Sequence, residues 1–76
     1  MKDFLEFIAK HLVDHPDQVS IELEEKEDKV IFRLSVNDQD VGKVIGKKGR
    51  TAQAMRTLLA AVAAKDGKRA ILEIND

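Results

Sequence analysis

The residues best able to do chemistry gather in one short run, Val44-Ile45-Gly46-Lys47-Lys48-Gly49-Arg50. Two glycines flank two lysines. Glycine tolerates positive φ and lets another backbone come close, so the pair marks a tight reversal of the chain. With a helix starting just beyond it, the uncovered N–H groups of the first turn would face outward with partial positive charge. Lys47 and Lys48 at the tip, flanked by Lys43 and Arg50, would surround that seat with cations. Such a surface suits phosphate, and the backbone of a nucleic acid in particular.

The charge distribution points the same way. The chain carries 13 Lys and Arg against 14 Asp and Glu, a formal charge of -1, but the two signs are segregated. Residues 1 to 40 hold 5 basic against 11 acidic side chains, and residues 41 to 76 hold 8 against 3. Between positions 41 and 65 stand Lys43, Lys47, Lys48, Arg50, Arg56 and Lys65 with no acidic residue among them. A charge run is ordinarily a solvated face, so the loop motif, not the charge alone, carries the argument.

Other candidates are weaker. His11 and His15 are four apart, a spacing that can present two metal ligands on a helix, but Pro16 follows His15, no third ligand is evident and the Glu of a His-Glu-x-x-His motif is missing. No metal or other cofactor is expected. Without Cys or Tyr, and with two Ser in no nucleophile-like context, the sequence argues against an enzyme. The acidic cluster Glu22, Glu24, Glu25, Glu27 and Asp28 reads as a solvated strand edge whose charges discourage edge-to-edge association. Phe4, Phe7 and Phe32 fall on expected core faces, and the absence of Trp and Tyr argues against an aromatic stacking platform for bases.

The elements that must position the loop follow from periodicity. Phe4, Leu5, Phe7, Ile8, His11 and Leu12 recur at helical spacing, Asp3 and Glu6 resemble a capping box, and Pro16 stops the helix near Asp14. Val19, Ile21 and Leu23 alternate with polar residues, as do Val30, Phe32, Leu34 and Val36 after a short charged connection. These predict an antiparallel hairpin. Asp40 can cap a short helix from Val41 that ends at Gly46. A longer helix over about residues 50 to 65 carries the stripe Ala52, Met55, Leu59, Val62 and Ala63, with Gly67 as its left-handed C-terminal cap. Ala70, Leu72 and Ile74 alternate in a third strand, which the crossover rule makes parallel to the second. The expected fold is α+β, in the order α-β-β-α-α-β, with a three-stranded mixed sheet packed on one face by three helices.

The Ile-Gly-Lys-Lys-Gly turn between two helices resembles the KH domain, whose Gly-x-x-Gly loop clamps about four backbone nucleotides. The element order resembles its type II arrangement, and the likeness covers the whole chain as a single domain, residues 1 to 76. More narrowly, His15-Pro16-Asp17 and the string from Asp40 through Gly46-Lys47-Lys48-Gly49 to Thr51 resemble KhpA, a family of small bacterial RNA-binding proteins made of one KH domain. The resemblance implies that Gly46 and Gly49 permit close approach, that Lys47 and Lys48 meet phosphates, and that Val44 and Ile45 help form an apolar groove for bases. Lys43 and Arg50 complete the expected RNA-binding set. Ala52 departs from the general KH pattern, where many members carry Ile, which implies a shallower groove floor. The resemblance further implies a cytoplasmic, chaperone-like role on single-stranded RNA, a KhpB or Jag-type partner, and a link to cell shape and peptidoglycan homeostasis.

A second function class is an interaction module. Residues 58 to 64 read Leu-Leu-Ala-Ala-Val-Ala-Ala, apolar around more of the helix than one core face requires, and Ala54, Leu58 and Ala61 form a strip beside the core stripe. A chain near the roughly 70 to 80 residues below which one core stabilises a domain poorly gains from burying such a strip in a homodimer or against a related KH protein. The alternative is that Ala is simply the best helix former. Absence of Cys fits a reducing compartment, and charges at Asp3, Glu6, Lys10 and Asp14 interrupt the N-terminal apolar run, so neither a signal peptide nor a membrane span is expected there.

Overall fold

A computed structural model describes residues 2 to 75. Helix α1 (Lys2–Leu12) leads through a 3-10 turn at Pro16–Gln18 into strands β1 (Ser20–Glu25) and β2 (Lys29–Ser35). A second 3-10 turn (Asp38–Asp40) precedes the short helix α2 (Val41–Ile45), and a third (Lys47–Gly49) joins it to α3 (Arg50–Ala64), which returns to β3 (Arg69–Ile74). The element order and the α+β class are those read from the sequence.

Strand order in the sheet is β1-β2-β3. β1 runs antiparallel to β2, pairing Ile21 with Leu34 and Leu23 with Phe32, and β3 runs parallel to β2, pairing Phe32 with Leu72. Alternation puts Val30, Phe32 and Leu34 on the helix-covered face. There they meet Leu5 and Val13 from the N-terminal segment, Val44 of α2, and Met55 and Leu59 of α3 in one core. Phe32 lies at its centre with no exposed surface, a burial that stabilises by roughly 1.5 to 3 kcal/mol.

Several details depart from the sequence reading. In α1 the packed residues are Leu5 and Ala9, continued by Val13 just past the end of the helix, while Phe4, Phe7 and Leu12 are exposed. Small Ala9 is fully enclosed, so the helix turns that side to the core. The aromatic rings are left on its flank, where Phe7 packs against His11 with ring centroids 4.3 Å apart and planes tilted by 42°. The capping box is also absent: Asp3 lies inside the first turn, and Glu6 pairs with Lys10 at 3.1 Å. On the sheet, Leu23 of the edge strand is 47% exposed, whereas Ile31, on the open face of the central strand, is buried between its register partners Glu24 and Ile71.

Helix α3 buries Ala52, Met55, Leu59 and Ala63, but Val62 stays at the surface with 39% exposure, because its place on the helix falls beside this stripe. Its end follows the expected logic. Gly67 takes φ 71°, Lys68 N–H donates to the Ala63 carbonyl at 3.1 Å, and Gly67 N–H donates to the Ala64 carbonyl at 3.0 Å. This paired closure satisfies carbonyls that the helix end would leave bare and turns the chain into β3.

Candidate nucleic-acid interface

A helix of five residues such as α2 cannot sustain itself, so its pose depends on anchors. One is Val44, entirely buried in the core. The other is Asp40, the residue just ahead of the helix. Its carboxylate does not cap α2, as the sequence suggested, but reaches to the segment after α1. Oδ1 accepts from the Asp14 N–H at 3.2 Å, and Oδ2 accepts from the His15 N–H at 3.0 Å and from His15 Nδ1 at 2.9 Å. Asp40 is completely shielded from solvent. Burial opposes its ionisation, but the hydrogen bonds from the His15 ring and the Asp14 and His15 amides outweigh it and hold the carboxyl below its ordinary range.

Beyond α2 the chain reverses through three residues of positive φ. Gly46 has φ 78°, Lys48 58° and Gly49 74°. Gly46 is required twice over, since a Cβ there would also lie 2.2 Å from Thr51 Oγ1 and 2.9 Å from the Thr51 nitrogen. At Gly49 the same atom would meet open space, so only its backbone conformation favours glycine. The Gly46 N–H donates to the Gly42 carbonyl at 2.9 Å and the Gly49 N–H to the Gly46 carbonyl at 3.1 Å, closing the turn on itself.

The turn delivers Lys47, Lys48 and Arg50 to the surface, where all three are exposed and none has a carboxylate partner among the described residues. Gly49 at the N-cap of α3 has no side chain to cap the first turn beside them. Three free cations and a helix N-terminus thus share one projecting loop, an arrangement that can receive consecutive phosphates through charge and backbone N–H groups.

The remaining sequence candidates divide. Lys43 is tied to Asp14 and stands 3.7 Å from Asp40, so it is not a free cation like the loop lysines. Val44 exposes nothing and supports a groove only from beneath, while Ile45 is half-buried and offers some apolar surface. Ala52 is likewise buried, under the start of α3. Ala54, Leu58 and Ala61 lie exposed on α3, with Leu58 at 47%. His11 and His15 do not share a helical face, because α1 ends at Leu12; the His11 ring is bonded to the Phe7 carbonyl and the His15 ring to Asp40. Of the acidic cluster, Glu24 pairs with Arg33 at 2.9 Å and Glu25 with Lys68 at 3.2 Å. A surface depression between the ends of β2 and β3, lined by Arg33, Leu34, Ser35, Glu73, Ile74 and Asn75, shares no residue with the loop.

A family model described as the KhpA/KhpB KH domain matches residues 2–74. The chain belongs to this family. It is 50% identical to the RNA-binding protein KhpA of Clostridium acetobutylicum, over 97% of this chain and 99% of that protein. Similarity to the KhpA proteins of Chlamydia pneumoniae, at 49% identity over 97% of this chain and 95% of the relative, and of Borreliella burgdorferi, at 50% over 97% and 90%, is of the same order. No solved structure matches the chain. The helix-and-sheet order of the chain is consistent with the type II KH fold, and membership in a KhpA/KhpB family supports RNA binding. None of the described helices is long and apolar enough to cross a membrane.

What sequence reasoning missed is the support behind the loop. The Asp14, His15 and Asp40 cluster joins positions 25 or 26 residues apart, and no local pattern signals it. Thr51, quoted in the motif, proves to be the residue that Gly46 must accommodate.

Proposed function

We propose that this domain binds single-stranded RNA by seating backbone phosphates on Lys47, Lys48 and Arg50 and on the N–H groups at the start of α3. The observation that carries the reading is the loop itself: Gly46 and Gly49 at positive φ project three cations free of carboxylate partners, in a chain whose relatives are named RNA-binding proteins. Half-buried Ile45 offers bases a small apolar contact, so affinity comes mostly from phosphate and sequence preference is modest. The family resemblance supports a chaperone-like, cytoplasmic role in post-transcriptional control, tied to cell shape and cell-wall homeostasis.

The exposed strip Ala54, Leu58 and Ala61 favours a second property, pairing through α3 with another copy or with a KhpB or Jag-type protein. The two properties are compatible, because the strip and the loop use different residues. Titration of a short unstructured RNA labelled with a fluorophore, at several salt concentrations, tests the first. Three phosphate contacts on a single strand give a log-log salt slope of about -2. No binding by the wild type at low salt would overturn the RNA reading and leave the pairing module as the function.

A further inference from the structure

Six basic residues occupy the acid-free segment 41 to 65, and among the described residues only Lys43 is held by carboxylates. Lys43 is exposed on α2, three residues ahead of Gly46 and so about one helical turn from the loop. Its ammonium donates to Asp14 Oδ2 and stands 3.7 Å from Asp40 Oδ1. Asp40 cannot turn away, because Asp14 N–H, His15 N–H and His15 Nδ1 fix its carboxylate in place. The Asp14 side chain, by contrast, is 69% exposed and Lys43 is its only ion-pair partner among the described residues. An exposed pair of this kind is weak and exchangeable, whereas the buried carboxylate behind it is permanent.

We propose that Asp14 sets the strength of RNA binding by competing with a backbone phosphate for Lys43. The inference rests on the RNA-binding reading of the loop. A phosphate that reaches Lys43 replaces one anion with another, leaving the Asp14 carboxylate to take up a cation from solution. The net counterion release for that contact is then small, and the site behaves as though it held three cations, not four. The hydrogen bond that Lys43 donates to Asp14 raises its pKa further above a lysine range that already lies far above neutral pH, so the exchange involves no proton.

The test is the labelled-RNA titration between 50 and 200 mM salt on wild type, Asp14→Asn, Lys43→Ala and the double variant. Asp14→Asn keeps the backbone N–H that Asp40 uses, and Asp14→Ser serves as a second variant should the first melt early. Releasing Lys43 is expected to tighten binding at low salt and to steepen the log-log slope by about 0.7, which widens the affinity ratio across that salt range about 2.6-fold. Both changes should vanish when Lys43 is already Ala. Equal affinity and slope in wild type and Asp14→Asn would overturn the proposal, as would the same tightening in the Lys43→Ala background, which would mark a general field effect. Either result, with binding still dependent on Lys47 and Lys48, leaves the RNA reading standing. A wild type that binds no RNA overturns both.

Discussion

Asp40 and His15, 25 residues apart in the chain, share a 2.9 Å hydrogen bond that ties the start of α2 to the segment leaving α1. With the two backbone N–H groups of Asp14 and His15 on the same carboxylate, this buried charge has no unsatisfied oxygen. Asp40→Ala is expected to lower the melting temperature by about 5 °C or more, because three donors lose their acceptor inside the fold. Thermal melts followed by circular dichroism measure it, and an unchanged melting temperature would refute the anchoring role.

The same residue fixes the direction of an acid limb. Its folded pKa lies below the ordinary carboxyl value of about 3.9, so its contribution to stability is fully present above that value and is lost as pH falls through the lower folded value. Urea denaturation from pH 6 down to pH 2 should show stability declining in this window. Asp40→Asn should reduce the decline, leaving the part due to other carboxylates such as Glu24, whose pKa is lowered chiefly by Arg33.

The two loop glycines should respond differently to alanine. Gly46→Ala combines positive φ with a Cβ that collides with Thr51, and costs about 2 to 3 kcal/mol or displaces the start of α3. Gly49→Ala meets no neighbour and costs about 1 kcal/mol from backbone conformation alone. Equilibrium unfolding in urea ranks them, and equal losses would contradict the crowded contact at Gly46.

Lys47→Asp with Lys48→Asp should leave the melting curve nearly unchanged, since both side chains are exposed and unpaired among the described residues. RNA affinity should fall at least about tenfold at low salt, with a shallower salt slope. Unchanged affinity would remove the loop as the phosphate site.

Leu58→Glu places a charge on the exposed strip of α3 without touching the core. Sedimentation velocity at high concentration should detect a shift from dimer to monomer with secondary structure intact. A wild type that is monomeric throughout, and unchanged by the substitution, would exclude the homodimer.

Much of the architecture was legible along the chain because its determinants are local or periodic. Alternation at Val30, Phe32 and Leu34 marked the central strand, Pro16 ended the first helix, Gly67 closed α3, and the crossover rule set β3 parallel to β2. The glycine loop was equally legible, since a pair of glycines around two lysines encodes both the turn and its charge. Faces were harder. Periodicity in α1 marks a broad apolar arc including Phe4 and Phe7, but the side presented to the sheet is chosen by how closely the helix can approach, and Ala9 permits the closest approach.

The order of elements and the glycine turn with its run of basic residues were therefore legible in residue type and spacing, and the motif string around that turn carried the resemblance to the family. Only the tertiary structure decided which cations are free. Lys43, Lys47, Lys48 and Arg50 are alike as letters in one basic run, but folding brings Asp14, 29 residues away in the chain, to the first of them and leaves the other three unpaired among the described residues. The physical reason is that a side chain's charge is local information, whereas its neutralisation depends on partners that the chain brings together from far away.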